Sequence, residues 1–174
     1  MCTDCTVLKS YLNFEFGDPN LGKEAALAQY GQGADIVWAV AGLSGQGVFE
    51  AAKEEGKYAI GVDSNQDADA PGVVITSMMK RTDQTTFLLI KNSLDGNFQS
   101  GFNQLSMKDG VVDLSWTGSD STVFADNGPA EMVAKLPDVQ AAVEDYRTQI
   151  LGGTLEVCDA LNAPDTEVCT AAKP

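Results

Sequence analysis

Residues 33–63 read GADIVWAVAGLSGQGVFEAAKEEGKYAIGVD, and this stretch decides the fold. Ile36 to Ala41 is a continuous apolar run, bounded by Gly33-Ala34-Asp35 before it and Gly42 after it. Apolar runs without alternation mark strands buried on both faces, as in parallel sheets. Gly45 to Glu55 carries helical patterning and stops at Gly56, a residue that enters the left-handed turn at a helix end without steric penalty. Tyr58 to Val62 repeats the buried-strand pattern and ends on Asp63. A strand, a single helix and a second strand make a βαβ unit, in which the helix carries the chain back so that the strands run parallel.

The same alternation extends both ways. Upstream, Val7 to Phe14 is β-like, Asp18-Pro19-Asn20 has helix-starting chemistry, and Leu21 to Tyr30 reads as an amphipathic helix closed by Gly31-Gln32-Gly33. Downstream come a polar loop from Ser64 to Pro71, a strand from Val73 to Ser77, and a helix from Thr82 to Leu94 closed by Asp95-Gly96. Gln104 to Met107 and Val111 to Trp116 read as short strands around a Lys108-Asp109-Gly110 turn, Thr117 to Asn127 as polar loop, and Pro137 to Gly152 as a helix. The pattern predicts an α/β fold with a mainly parallel sheet and helices on both faces. Parallel strands are expected near Val7–Phe14, Ile36–Ala41, Tyr58–Val62 and Val73–Ser77, with the helices Leu21–Tyr30 and Gly45–Glu55 on opposite faces.

Composition narrows the function classes. The chain has 174 residues, suited to one ordinary domain, and carries a net charge of −14. Such a surface repels phosphate backbones, so no nucleic-acid partner is expected, and it disfavours docking on anionic lipid. There is no His, which removes the commonest general base and the commonest metal ligand. No catalytic residue, metal site or cofactor is assigned. The four cysteines, Cys2, Cys5, Cys158 and Cys169, lie in the terminal segments. Structural disulfides are favoured over free thiols or a redox or zinc function, which tilts towards an oxidising compartment. No apolar run reaches the roughly 18 residues of a membrane span, and no signal-peptide pattern is visible at the start.

In parallel sheets ligands sit beyond the carboxyl ends of the strands. That rule favours three loops: Phe16 to Asn20, Gly42 to Gly47, and Asp63 to Gln66. In Ala41-Gly42-Leu43-Ser44-Gly45-Gln46-Gly47 the glycines either admit a ligand to backbone N–H groups at a helix start or simply form a tight turn. Their spacing, G-x-x-G-x-G, is not the dinucleotide fingerprint. Asp63, at a strand tip, can accept both hydroxyls of a ribose, or merely cap a loop. Phe16, beside Gly17, can stack on a flat ligand, or pack at the rim. Lys80 and Arg81 follow the strand Val73–Ser77 and are two of only 11 cations, either site residues or a solvated helix start.

These residues also carry a resemblance. Asp18-Pro19 with Gly22-Lys23-Glu24-Ala25-Ala26, Gly33-Ala34-Asp35-Ile36-Val37, Ala41-Gly42 with Gly45 and Gly47, Val48-Phe49-Glu50-Ala51-Ala52-Lys53, Tyr58-Ala59-Ile60-Gly61-Val62-Asp63-Ser64, and Thr76-Ser77-Met78-Met79-Lys80-Arg81 occur in that order. The chain from about Val7 to Val157 resembles the basic membrane protein family of solute-binding lipoproteins, which includes purine nucleoside receptors of ABC transporters. The resemblance implies a type I periplasmic-binding-protein fold, in which two α/β lobes close on a ligand. It implies that Phe16 stacks on a base, Gly42 lines the base pocket, Asp63 binds ribose hydroxyls and Lys80 completes the polar clamp. It implies an ABC permease as partner and a periplasmic or extracellular location, membrane-anchored in full-length members, with the leader not present here.

Set against the family, the chain reads as lacking the N-terminal lobe. It divides into a Cys-containing extension (residues 1–6), a second-lobe ligand-binding core (residues 7–80), a crossover helix with C-terminal segments (residues 81–157) and a Cys-containing tail (residues 158–174). Helix Thr82–Leu94 would then cover the absent lobe's sheet, and its partner here would be a separate first lobe or a second copy of the chain. The expected function is the partial substrate-binding component of an ABC importer with a nucleoside-like ligand, and not an enzyme. The alternatives are a nucleotide-cofactor-binding α/β enzyme domain using Gly42 to Gly47 and Asp63, and a regulatory remnant without ligand.

Overall fold

A computed structural model describes residues 5–117 and 122–158. Asp18 opens helix α1 (Pro19–Gly31): its carboxylate accepts from the Asn20 N–H at 2.9 Å, with Pro19 in the first turn, where no N–H is needed. One stripe of α1, Gly22, Ala26 and Tyr30, is buried, at the i, i+4, i+8 spacing of a single helix face. Strand β1 (Ile36–Trp38) follows, then a 3₁₀ turn (Gly42–Ser44), helix α2 (Gly45–Glu55), strand β2 (Tyr58–Asp63) and strand β3 (Val74–Lys80). Gly56 ends α2 at φ 61, the left-handed value expected of it.

The sheet has the order β1-β2-β3-β4, with β4 at Val112–Leu114. Ile36 to Trp38 pair with Tyr58 to Ile60 in parallel, and β2 pairs β3 in parallel with an irregularity at Ala59/Ile60. The fourth strand is antiparallel to β3, Met78 opposite Leu114 and Lys80 opposite Val112. The mainly parallel α/β architecture is thus the one the sequence predicts.

Several expectations fail. Val7 to Phe14 is not a strand: it runs as irregular chain and bends at Asn13 and Phe14, whose φ values of 49 and 66 are incompatible with extended pairing. Val7, Tyr11 and Phe14 are left exposed. Along the segment Lys9 and Asn13 interrupt one face and Ser10 the other, so neither side offers a continuous apolar row to bury.

Nor do α1 and α2 lie on opposite faces. Ala26 and Tyr30 of α1, Val48, Phe49, Ala51 and Ala52 of α2, and Val37, Ala59 and Val74 of the strands form one buried cluster, so both helices cover the same face. Paired glycines set this arrangement. A Cβ on Gly47 would come within 1.8 Å of the Pro19 carbonyl oxygen, and one on Gly22 within 1.9 Å of the Ser44 carbonyl oxygen. The helices therefore touch backbone to backbone, which a continuous-apolar strand pattern cannot foretell. The Tyr30 hydroxyl donates to the Tyr58 carbonyl at 2.8 Å, and burial pushes its pKa well above that of a free phenol.

The other face is met by helix α4 (Val123–Asn127), within the segment read from sequence as polar loop. Thr122 caps it by accepting from the Ala125 N–H, and buried Phe124 meets Tyr58 edge-on, ring centres 5.8 Å apart. Gln104 to Met107 is likewise not a strand: Ser106 caps a 3₁₀ turn (Met107–Asp109) there. Helix α3 (Thr82–Leu94) has the predicted bounds and no buried residue. A four-residue helix α5 (Ala130–Val133) closes the first of two compact units, Met1–Val133; the second, Ala134–Pro174, contains helix α6 (Leu136–Gly152). Cys5 and Cys158 each take part in a disulfide bond, while Cys2 and Cys169 lie outside the described residues.

Candidate functional site

The four residues singled out in the sequence form two close pairs at the carboxyl ends of the parallel strands. Asp63 ends β2 and Lys80 ends β3; Lys80 Nζ lies 2.7 Å from Asp63 Oδ1, both side chains half-exposed. Asp63 holds φ at 70, a left-handed value that L-residues other than Asn and Asp seldom adopt. The turn leads into a loop whose Gln66 side chain folds back, its Oε1 accepting from the Val62 N–H at 2.8 Å.

The second pair is Phe16 and Gly42. Gly42 follows β1 with φ 54, and a Cβ placed on it would sit 3.2 Å from both the Cβ and the carbonyl oxygen of Phe16. Phe16 keeps an exposed ring, 54% accessible. Its backbone is fastened by Ser44, which is wholly buried. Ser44 N–H donates to the Phe16 carbonyl at 3.1 Å, Ser44 Oγ donates to the Glu15 carbonyl at 3.1 Å, and the Asp18 N–H donates to Ser44 Oγ at 3.0 Å. The aromatic is therefore presented on a rigid loop.

The two pairs lie at the same end of the neighbouring strands β1 and β2, whose pairing continues past Trp38 through the Ala39 N–H to Ile60 carbonyl bond of 3.0 Å. The loops behind them are linked too, Gln46 Nε2 donating to Asp69 at 3.1 Å. An aromatic plane, a glycine that leaves room beside it, a carboxylate and an ammonium thus line one sheet edge. That set suits a flat ring joined to a polar, hydroxyl-bearing group.

The glycine run divides its labour. Gly42 faces the site, whereas Gly45 abuts Ala39 and Gly47 abuts α1, so only one of the three is open to a ligand. Arg81, beside Lys80 in sequence, is committed elsewhere: its guanidinium lies 2.8 Å from Asp83, which keeps Arg81 protonated and pulls the Asp83 carboxyl down to about 2. A cavity of about 600 Å³ opens beneath residues 10–14, lined by Phe16, Gly22, Ala26, Val37 and Ala39 among others. Its walls are largely apolar, and of the four candidate residues only Phe16 is among them.

Ser44, Asp67, Ser77 and Ser115 are the residues that sequence reasoning missed. Each is a small polar group, buried at Ser44, Asp67 and Ser77 and half-buried at Ser115, whose place is decided by distant neighbours. The Thr76-Ser77 step inside an apolar strand was the one local hint.

The chain matches a family model described as ABC transporter substrate-binding protein, PnrA-like, over residues 4–137. It is 40% identical over 114 residues to basic membrane protein B of Borrelia garinii subsp. bavariensis, which covers 63% of this chain and 33% of that protein. An uncharacterized lipoprotein of Pyrococcus abyssi is 31% identical over 133 residues, covering 68% of this chain and 33% of the lipoprotein. Among solved structures, an ABC transporter solute-binding protein from Aeropyrum pernix K1 superposes with a TM-score of 0.65 at 26% identity, over 85% of this chain and 46% of that one. The chain spans about a third of the length of these curated relatives.

Proposed function

The chain belongs to the PnrA-like family of ABC transporter substrate-binding proteins, and from that premise we propose that it contributes one side of a cleft that binds a nucleoside-like small molecule. The observation that carries this reading is the juxtaposition of the Asp63–Lys80 pair, 2.7 Å apart, with Phe16 packed against Gly42 on the neighbouring strand end. In this reading the base stacks on the exposed Phe16 ring above Gly42. Asp63 accepts hydrogen bonds from the ribose hydroxyls, and Lys80 both orients Asp63 and donates to the ligand. Binding breaks no bond, so the site asks for no nucleophile, base or cofactor.

In this reading the remainder of the cleft belongs to a preceding lobe, and it is supported by the 46% share of the Aeropyrum pernix solute-binding protein that this chain covers. Residues 7–80 then form the ligand-binding core, and residues 81–157 the crossover helix and the segments that follow. The lipoprotein relative supports an extracytoplasmic place, and the family supports an ABC permease as partner. Among the described residues no helix is long and apolar enough to cross a membrane.

The alternative of a nucleotide-cofactor enzyme is disfavoured by a specific contact. A loop that cradles a pyrophosphate needs its glycines free for the ligand, but Gly47 is already in backbone contact with Pro19.

The test is calorimetry with adenosine, adenine and NAD, on the chain and on its fusion to the first lobe of a two-lobed relative. Adenosine should bind the fusion more tightly than adenine, and NAD should not bind. Asp63→Ala should cost about 1.5–3 kcal/mol with adenosine and almost nothing with adenine, which lacks the hydroxyls. Phe16→Ala should cost about 1–3 kcal/mol with both. An equal Asp63→Ala penalty for both ligands would remove Asp63 from the role assigned to it.

A further inference from the structure

Behind the strand tips lies a buried carboxylate that the reading above leaves unused. Asp67 is 3% exposed, and among the described residues no cation reaches it. Two hydroxyls do: Ser77 Oγ donates to Oδ1 and Ser115 Oγ to Oδ2, each at 2.7 Å. The rest of the proton pattern follows. Ser77 Oγ accepts from the Gln66 N–H at 3.0 Å, and Ser115 Oγ accepts from the Ser77 N–H at 2.9 Å. With the Ser115 proton committed to Asp67, the Thr76 hydroxyl is the donor in its 2.9 Å contact with Ser115.

The network joins three pieces of chain: the loop after Asp63, strand β3 ahead of Lys80, and the residue just past β4. We infer that Asp67 is a positioning residue for the ligand site, holding the loop that begins at Asp63 in register with β3 so that Asp63 and Lys80 meet. The inference rests on reading Asp63 and Lys80 as ligand contacts. The geometry leaves the loop little alternative. Gln66 is held through its N–H by Ser77 and through its side chain by Val62, and Gly61 leaves room for both, a Cβ there falling 2.4 Å from Ser77 Oγ. Asp63 is thus kept in its left-handed turn from the far side of the loop.

Two measurements on the whole chain separate this role from a general structural one: amide hydrogen exchange, and adenosine affinity with adenine as control. In Asp67→Asn the charge is lost and a hydroxyl facing the amide nitrogen must turn its proton away to accept instead, so the charge-assisted contacts that hold the loop weaken. The Gln66 and Val62 amides should then exchange about tenfold faster, the scale of one hydrogen bond to a charged group, while the Ala51 and Ala52 amides of α2 keep their rates. Ser115→Ala should do the same to a smaller degree, and Ser115→Thr, which keeps the hydroxyl, should restore the native rates. Adenosine affinity should fall about tenfold in Asp67→Asn, fall less in Ser115→Ala, and stay native in Ser115→Thr. Unchanged Gln66 and Val62 amides would overturn the inference, as would an equal acceleration of α2, or loop acceleration with adenosine affinity intact. If the unaltered chain binds no adenosine, the nucleoside reading falls, and the exchange rates alone decide whether Asp67 positions the loop.

Discussion

Gly42 and Asp63 make the same demand on the backbone and meet it differently. Both sit just past a strand end with positive φ, 54 and 70. Gly42 does so without penalty; Asp63 keeps a side chain in a region that costs an ordinary L-residue about 1–2 kcal/mol. Strain and binding can therefore be pulled apart at one position. Asp63→Gly should unfold at higher denaturant than Asp63→Ala, by about 1 kcal/mol in urea titrations, while both variants bind adenosine equally poorly. If Asp63→Gly retained adenosine binding, the carboxylate would have no part in recognition. Gly47 poses a different problem: its missing Cβ is replaced by the Pro19 carbonyl. Gly47→Ala must push α1 from α2 and should lower stability by about 1–3 kcal/mol, seen as a lower urea midpoint at unchanged slope. At this scale the sequence was half legible. Gly42, Asp63 and Lys80 stand out because their residue types and their places at or after strand ends coincide, and Phe16 stands out as an aromatic beside Gly17, although the strand expected before it does not form. Ser44, Asp67, Ser77 and Ser115 do not, because a hydroxyl reads the same in a loop and in a core until its partners, 10 to 48 residues away for Asp67, are known.

At the scale of elements, what was legible is what local chemistry controls. Helices α2 (Gly45–Glu55) and α3 (Thr82–Leu94) have the bounds read from sequence; glycine closes α2, and Asp95-Gly96 follows α3. The short helix α4 was not legible, since five residues give no periodicity and its anchor, Phe124 on Tyr58, is a tertiary fact. The face chosen by α1 was not legible either: the strand pattern says both faces are to be covered, and the Gly22 and Gly47 contacts choose which helix goes where. The start of α3 carries a pH signature. Arg81 stabilises the ionised Asp83 and lowers its pKa from the ordinary 3.8 to about 2. Because the folded value lies below the unfolded one, the stabilisation is complete above about pH 4 and is lost as pH falls towards 2. Asp83 is fully exposed, so the effect belongs to the helix end rather than to global stability. A carboxyl-detected NMR titration should place Asp83 near 2, and Arg81→Gln should raise it part of the way to the ordinary range, the Gln84 N–H still holding the carboxylate.

For the whole molecule, two surface properties pull in opposite directions. Along α3 and the chain beyond it, Phe87, Ile90, Leu94, Phe98 and Phe102 are exposed, from 56% at Ile90 to 94% at Phe102. Phe87, Ile90 and Leu94 fall on one helical stripe, at i, i+3 and i+7. Burying such side chains is worth about 1.5–3 kcal/mol each, and a continuous apolar strip of this kind marks an interface. In a two-lobed arrangement the first lobe would be its cover; for the 174 residues by themselves we propose a second copy of the chain. Against this stands the net charge of −14, which drives copies apart. The charge term is long-ranged and screened, with a Debye length of about 10 Å at 0.1 M salt and about 30 Å at 0.01 M, whereas apolar burial is short-ranged and not weakened by salt. The balance should therefore tip with ionic strength. Sedimentation equilibrium should find the chain mainly monomeric at 0.01 M salt and increasingly dimeric towards 0.5 M. The double variant Ile90→Lys, Leu94→Glu adds no net charge and removes two of the exposed apolar groups, so it should remain monomeric throughout with an unchanged thermal midpoint. Fusing the first lobe of a relative ahead of the chain should abolish the salt-driven dimer in the same way, because the strip would then be covered within one molecule. A dimer that persists in the double variant would place the interface elsewhere on the surface.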